Sequence, residues 1–261
     1  MDKERLLNHI SNQDLKNVLL KALNKVSSVL NNHMEVSTDF LDPYERKNMI
    51  QILRGIDEVS FREEGGYIES ERKIIRIFPY YLSGDDIDLG IEILEIRWDS
   101  RFGQISHRDC LGALLGLGIK REKIGDILVL DGGFQVIVES KISDFITYNL
   151  SKIGRKTVSV KKISSEEITI KEPQSKEVFF TISSNRLDSV IAGIFNISRA
   201  IAQKSIDSER VKLSFEPVFS SSKEVLENDL ISVRGMGRAK VIEIGDVTKK
   251  GRQKVRAKIF I

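Results

Sequence analysis

The chain has 261 residues, 41% hydrophobic and 30% charged, with three histidines, one cysteine and a formal net charge of +3. That length holds one large or two to three small domains, and no apolar run approaches the 18 residues of a membrane span, so no membrane role is expected. Cys110 alone excludes an internal disulfide framework or a thiolate metal cluster, and His9, His33 and His107 are too scattered for a metal site, so no metal, no cofactor and a reducing cytoplasm are expected.

Residues 1–82 read as an N-terminal α/β domain. The charged start, Met1 to Arg5, leads into an amphipathic pattern and does not resemble a signal peptide. Leu15, Val18, Leu19, Ala22, Leu23, Val26, Val29 and Leu30 recur at three and four, which predicts one long helix from about Asp14. Asp42-Pro43 predicts a second helix, with Asp42 as cap and Pro43 in its first turn, ending near Gly55. Strands are predicted over 59–62 and 73–78, with Gly65-Gly66 between them. The charged loop 62–73 suits either an exposed mixed-sign hairpin or RNA contact through Arg72 and Lys73.

A turn at 83–86 marks the next boundary, and residues 83–165 read as a second domain. A strand is predicted over 91–98, a helix over 107–117, strands over 126–130 and 134–139 joined by Asp131-Gly132-Gly133, a helix over 142–153 and a strand over 157–163. This β-α-β-β-α-β order is the ferredoxin-like arrangement shared by RNA-recognition motifs. The strand from Phe134 to Ser140 lacks the aromatic and glycine pattern that stacks bases. The loop 118–125 therefore offers two readings of equal weight: phosphate contacts from Lys120, Arg121 and Lys123, or a scaffold role.

Residues 166–180 are polar, contain Pro173 and read as a linker with a short strand at 168–170. A C-terminal domain follows over 181–261. Ser183 or Ser184 is the expected cap of a helix with the apolar stripe Leu187, Val190, Ile191 and Ile194. A second helix starts at Ser198, with Ile197, Ile201 and Ala202 expected inward and Arg199 and Lys204 outward. A strand over 230–233 runs into a basic Gly-rich turn. From Lys176 to the end there are 16 Lys+Arg and 10 Asp+Glu, whereas the preceding 175 residues hold 25 and 28. A basic C-terminal domain on a slightly acidic body points to a polyanion partner.

Arg186-Leu-Asp188, Ser198-Arg-Ala200, 211–213 and Asp229 to Val233, in this order and spacing, resemble the RNA-binding domain of small-subunit ribosomal protein four, the S-four domain; Asn228 stands where that family has glycine. The resemblance implies an Arg-bearing helical face laid against phosphates and carrying Arg186, Arg199 and Lys204; Lys212 is a further expected phosphate contact, Arg234, Arg238 and Lys240 extend the patch, and Lys249, Lys250 and Arg252 form a basic hairpin turn. Together with the run from His107 to Asp126 and Val233-Arg-Gly-Met-Gly-Arg238, the whole chain resembles the bacterial YlmH family. That resemblance implies an α+β protein of three small domains. Its implied partners are structured RNA (ribosomal RNA, with tRNA as a further partner) and the large ribosomal subunit, bound as a monomer in ribosome-associated quality control.

Three motifs point elsewhere. His107-Arg108-Asp109 matches a kinase triplet but lacks the accompanying Asn and Asp-Phe-Gly elements. Gly112, Gly116 and Gly118 fall at a helix end, so close packing and C-capping explain them better than a dinucleotide fingerprint. Arg-Leu-Asp also occurs in pseudouridine synthases, where the Asp is catalytic. A non-catalytic RNA binder is expected, with an RNA-modifying enzyme and a protein-interaction adaptor as the alternatives.

Overall fold

The computed structural model describes residues 2–83, 90–99, 101, 103–171 and 174–260. It forms two mixed α+β units, Met1–Lys171 and Glu172–Ile261. Most of the turn expected at 83–86 lies outside the described residues, as does Pro173.

Capping chemistry sets the helices of the first unit. After the short α1 (Lys3–Leu7), the Asn12 side chain accepts from Leu15 N and opens α2 (Gln13–Asn32), which stops at His33 in left-handed conformation. Following β1 (Val36–Ser37), Asp42 accepts from the backbone N–H of Tyr44 and Glu45, and the Glu45 carboxylate accepts from Asp42 N, so a complete capping box starts α3 (Pro43–Leu53). β2 (Val59–Glu64) and β3 (Ile74–Pro79) pair antiparallel in a β1-β3-β2 sheet. Leu19, Leu23 and Val26 of α2, Met49 of α3, and Ile75 and Ile77 of β3 share one core.

The next elements are β4 (Ile91–Arg97), α4 (His107–Gly116), β5 (Ile124–Leu130), β6 (Gly133–Glu139), α5 (Ser140–Asn149), the hairpin β7 (Lys152–Ile153) and β8 (Lys156–Thr157), and β9 (Ser159–Ile163). The helix expected to reach residue 153 ends at Asn149, because Gly154 turns a two-stranded hairpin there. The antiparallel sheet has the order β5-β6-β4-β9. Strand alternation sends Leu94, Ile96, Phe134, Val136 and Val138 towards Cys110 and Leu114 of α4 and Ile146 of α5.

The other face of this sheet is also covered, within the same unit. Ile93 and Ile137 pack with Phe40 and Ile74, and Tyr67 and Ile168 lie against that cluster. Gln135, 1% exposed, donates to Glu167 O and accepts from Thr169 N, so residues 167–169 strap the face down. A short 3-10 turn (Ser165–Glu167) leads into this strap, and residues 168–170, expected as a short strand, form none. A Cβ on Gly125 would sit 2.7 Å from Phe40 Cε1, so this close approach requires glycine.

The second unit contains β10 (Ser175–Ile182), α6 (Leu187–Phe195), α7 (Arg199–Asp207), β11 (Val211–Leu213), β12 (Glu216–Pro217), β13 (Leu230–Val233), β14 (Gly237–Val247) and β15 (Gln253–Phe260). Its sheet order is β10-β15-β14-β13-β11-β12. The linker expected over 166–180 is corrected here: β10 begins at Ser175 and pairs with β15 along its whole length. Alternation turns Val211, Leu213, Ile231, Val233, Ala239, Val241, Val255 and Ala257 inward, onto Leu187, Val190 and Ile191 of α6 and Ala202 and Ile206 of α7. Ile201, expected inward, is 48% exposed, and Ile206 takes the core position in the next turn.

Candidate nucleic-acid interface

The N-terminus of α6 is capped by a loop. Arg186 occupies the cap position without a side-chain cap, and neither Ser183 nor Ser184 serves. Leu187 N donates to Lys223 O and Asp188 N to Ser221 O, so the loop carbonyls satisfy amides that a serine was expected to take. This arrangement leaves the Asp188 side chain for another role. Its carboxylate accepts from Arg186 Nε at 3.2 Å on one oxygen and from Arg199 Nη2 at 2.6 Å on the other, while Ser189 N donates at 2.9 Å. Asp188 is 5% exposed; Arg186 and Arg199 are 40% and 55% exposed. One buried carboxylate therefore holds two outward-facing guanidiniums from two helices. Arg186 Nη2 also donates to Ser221 Oγ at 3.3 Å.

Burial alone would raise the Asp188 carboxyl, but the hydrogen bonds from Arg199 and Arg186, with their positive charges, hold it below the ordinary carboxylate value. An Asp already bound by two cations suits an orienting group. Ser198 accepts from Ile201 N and caps α7, which fixes the helix that carries Arg199 and the exposed Lys204.

The remaining C-terminal cations divide by strand parity. Val211 and Leu213 point into the core, so Lys212 between them points away; Arg238 and Lys240 flank buried Ala239 in the same way. These three side chains lie on the sheet face opposite the helices, so Lys212 does not share a face with the helix-borne Arg186, Arg199 and Lys204. Arg238 Cζ lies 5.5 Å from the centre of the Phe215 ring, a cation–π distance. Arg234 is exposed in the β13–β14 turn, and its backbone is paired with Arg210. Lys249 and Lys250 are exposed at the β14–β15 turn, and Arg252 Nη2 donates to Thr181 O. Residue reading missed Phe179, 73% exposed on β10, and Lys254, Arg256 and Lys258 on β15, which share the outward sheet face. The alternation of residues 253–260 carried that signal; Arg256 is tied to Glu243.

In the first unit, loop 118–125 is largely structural. Arg121 Nη1 donates to Ile124 O and Gly125 O, and burial, then the nearby Arg72 charge, lowers its guanidinium to about 10. Lys123 pairs with Asp39 at 3.0 Å and Glu139 at 2.5 Å. Of the three expected contacts only Lys120 is exposed, and Arg121 and Lys123 are half-buried. Arg72 donates to Phe40 O and Ile124 O, and Lys73 to Ile68 O, so both serve the packing of loop 62–73. Asp126 anchors that loop by accepting from Tyr67 Oη, Glu71 N and Arg72 N. Asp109 completes a capping box with Ser106, which explains the His-Arg-Asp triplet without chemistry. Among the described residues no helix is long and apolar enough to cross a membrane, and no cluster of three or more His, Cys, Asp or Glu could hold a metal ion.

The chain is similar to known proteins. Residues 15–82 match the family model "YlmH, N-terminal", and 85–167 match "Putative RNA-binding domain in YlmH". The chain is 34% identical over 218 residues, 84% of each chain, to the Bacillus subtilis (strain 168) "Ribosome-associated protein quality control protein P2". It belongs to the YlmH family. A solved YlmH structure, "Cell division protein ylmH from Streptococcus pneumoniae", superposes with a TM-score of 0.51 at 26% identity, covering 60% of this chain and 96% of that one.

Proposed function

We propose that this YlmH-family chain is a non-catalytic RNA-binding protein that grips ribosomal RNA and peptidyl-tRNA on the large ribosomal subunit, as a cytoplasmic monomer in ribosome-associated quality control. The name of the Bacillus subtilis relative and the description of the 85–167 family model support an RNA-binding, ribosome-associated role. The reading divides the protein into an N-terminal α/β domain over 1–82, a ferredoxin-like centre over 83–165 and a C-terminal S-four domain. The β5-β6-β4-β9 order supports the second assignment, and two helices on a basic antiparallel sheet support the third.

The observation that carries the proposal is the Asp188 clasp. Arg186 and Arg199 keep free faces to solvent while one carboxylate holds both in place. Each guanidinium has five N–H donors, so several remain for phosphate oxygens. Fixing two long side chains beforehand avoids an ordering cost of about 0.5–1.5 kcal/mol for each on binding. Affinity then comes from phosphate contacts and counterion release.

The test is Arg186→Ala with Arg199→Ala, read by co-pelleting with large subunits and by the dependence of log affinity on log salt. The slope should fall by about 0.7–0.9 for each lost contact, with far-UV circular dichroism unchanged. Unaltered pelleting and slope would overturn the proposal. A change in nucleoside mass after incubation with ribosomal RNA or tRNA would reveal an enzyme instead.

A further inference from the structure

One face of the β5-β6-β4-β9 sheet packs on α4 and α5, and the other is closed by Phe40, Ile74 and residues 167–169. Base stacking on this sheet is therefore blocked, although this region matches the putative RNA-binding domain. Any RNA contact it makes must use another surface. A cleft of about 550 Å³ opens between α4 and the β7–β8 hairpin. Arg108, Arg155 and Lys156 line it. The one acidic lining residue, Asp109, has its carboxylate bound to Ser106 N and Oγ, and Lys156 Nζ donates to Gln104 O. The cleft is net positive.

Its wall includes Gly112, exposed in the middle of α4. A Cβ there would meet nothing within 4 Å, and the same holds for Gly116 and Gly118, so the close packing expected for these glycines does not explain them. Gly118 does serve the helix end, with φ +83°. Gly112 is a poor helix former that the chain's own contacts do not require. A bare backbone at that point lets a bulky polyanion come close.

We propose that this cleft is a second RNA site, in which Arg108, Arg155 and Lys156 hold a phosphodiester backbone over Gly112. The proposal rests on the RNA-binding reading above and adds a surface independent of Arg186 and Arg199.

The test uses the full chain, purified tRNA and salt titrations between about 50 and 200 mM KCl. Arg108→Ala/Arg155→Ala/Lys156→Ala should reduce the salt slope by roughly 2 to 3. Gly112→Glu should leave or raise Tm, because glutamate favours helix, yet weaken tRNA binding about tenfold by filling the cleft with a repelling charge. If both variants keep wild-type slope and affinity while Arg186→Ala/Arg199→Ala loses binding, the cleft proposal is wrong and the clasp stands. If the wild-type chain shows no salt-dependent binding to tRNA or large subunits, both proposals fall.

Discussion

Asp188→Asn separates the charge of the clasp from its shape. The variant keeps the side-chain volume and one acceptor oxygen but loses the negative charge that two arginines share. A hydrogen bond to a charged group contributes about 1.5–3 kcal/mol when buried. Here the guanidiniums are 40% and 55% exposed, so solvent screening reduces each to about 1 kcal/mol. The expected local destabilisation is therefore about 2 kcal/mol, or roughly 30-fold faster amide exchange at the start of α6. Hydrogen-exchange mass spectrometry on peptides covering 183–207 reads this directly. It is better suited than fluorescence because the sole tryptophan, Trp98, sits in the other unit. The pH dependence has a definite sign. The native Asp188 carboxyl lies below its ordinary value of 3.8, so its stabilisation is fully present above about pH 4 and is lost as pH falls through the native value. The penalty of the variant should shrink in the same window. Less than about threefold faster exchange at neutral pH would show that the clasp does not hold the arginines.

Two further outcomes follow from the first unit. Asp126→Ala strands the Glu71 and Arg72 amides and the Tyr67 hydroxyl, so it should cost about 3 kcal/mol in urea unfolding followed by Trp98 emission. A change below about 1 kcal/mol would mean that water replaces the carboxylate. Cys110 is fully buried and burial pushes its thiol up to about 12, so a thiol reagent should react far more slowly with native than with urea-unfolded protein. Equal rates would show that α4 opens readily.

Much of the architecture was legible because periodicity and caps act locally. The Asp42-Pro43 start, the 3.6-residue stripe of α2 and the βαββαβ order all follow from neighbours in sequence. Errors arose where distant residues decide. The loop 220–225 replaced the expected serine cap of α6, because carbonyls brought from Ser221 and Lys223, far along the chain, leave no sequence signal. β10 looked like a linker since polar residues alternate weakly on an edge strand, and only β15 completes it. Arg121 and Lys123 resembled free cations, yet their acceptors, carbonyls and the carboxylates of Asp39 and Glu139, converge only in three dimensions. The arginine pair was readable, and so was an orienting role for Asp188 beside a nearby arginine; that one carboxylate joins two was not, because Arg199 reaches it from the next helix.

The strapped sheet face has a practical bearing on how the protein can be cut. Excising 85–167 along the family-model boundaries would strip Phe40 and Ile74 from Ile93 and Ile137 and leave these isoleucines wet. Such a fragment should be sticky and poorly behaved, whereas a cut after Lys171 keeps the greasy seam sealed. In this chain the surface that related folds offer to RNA has become the glue for its own neighbour.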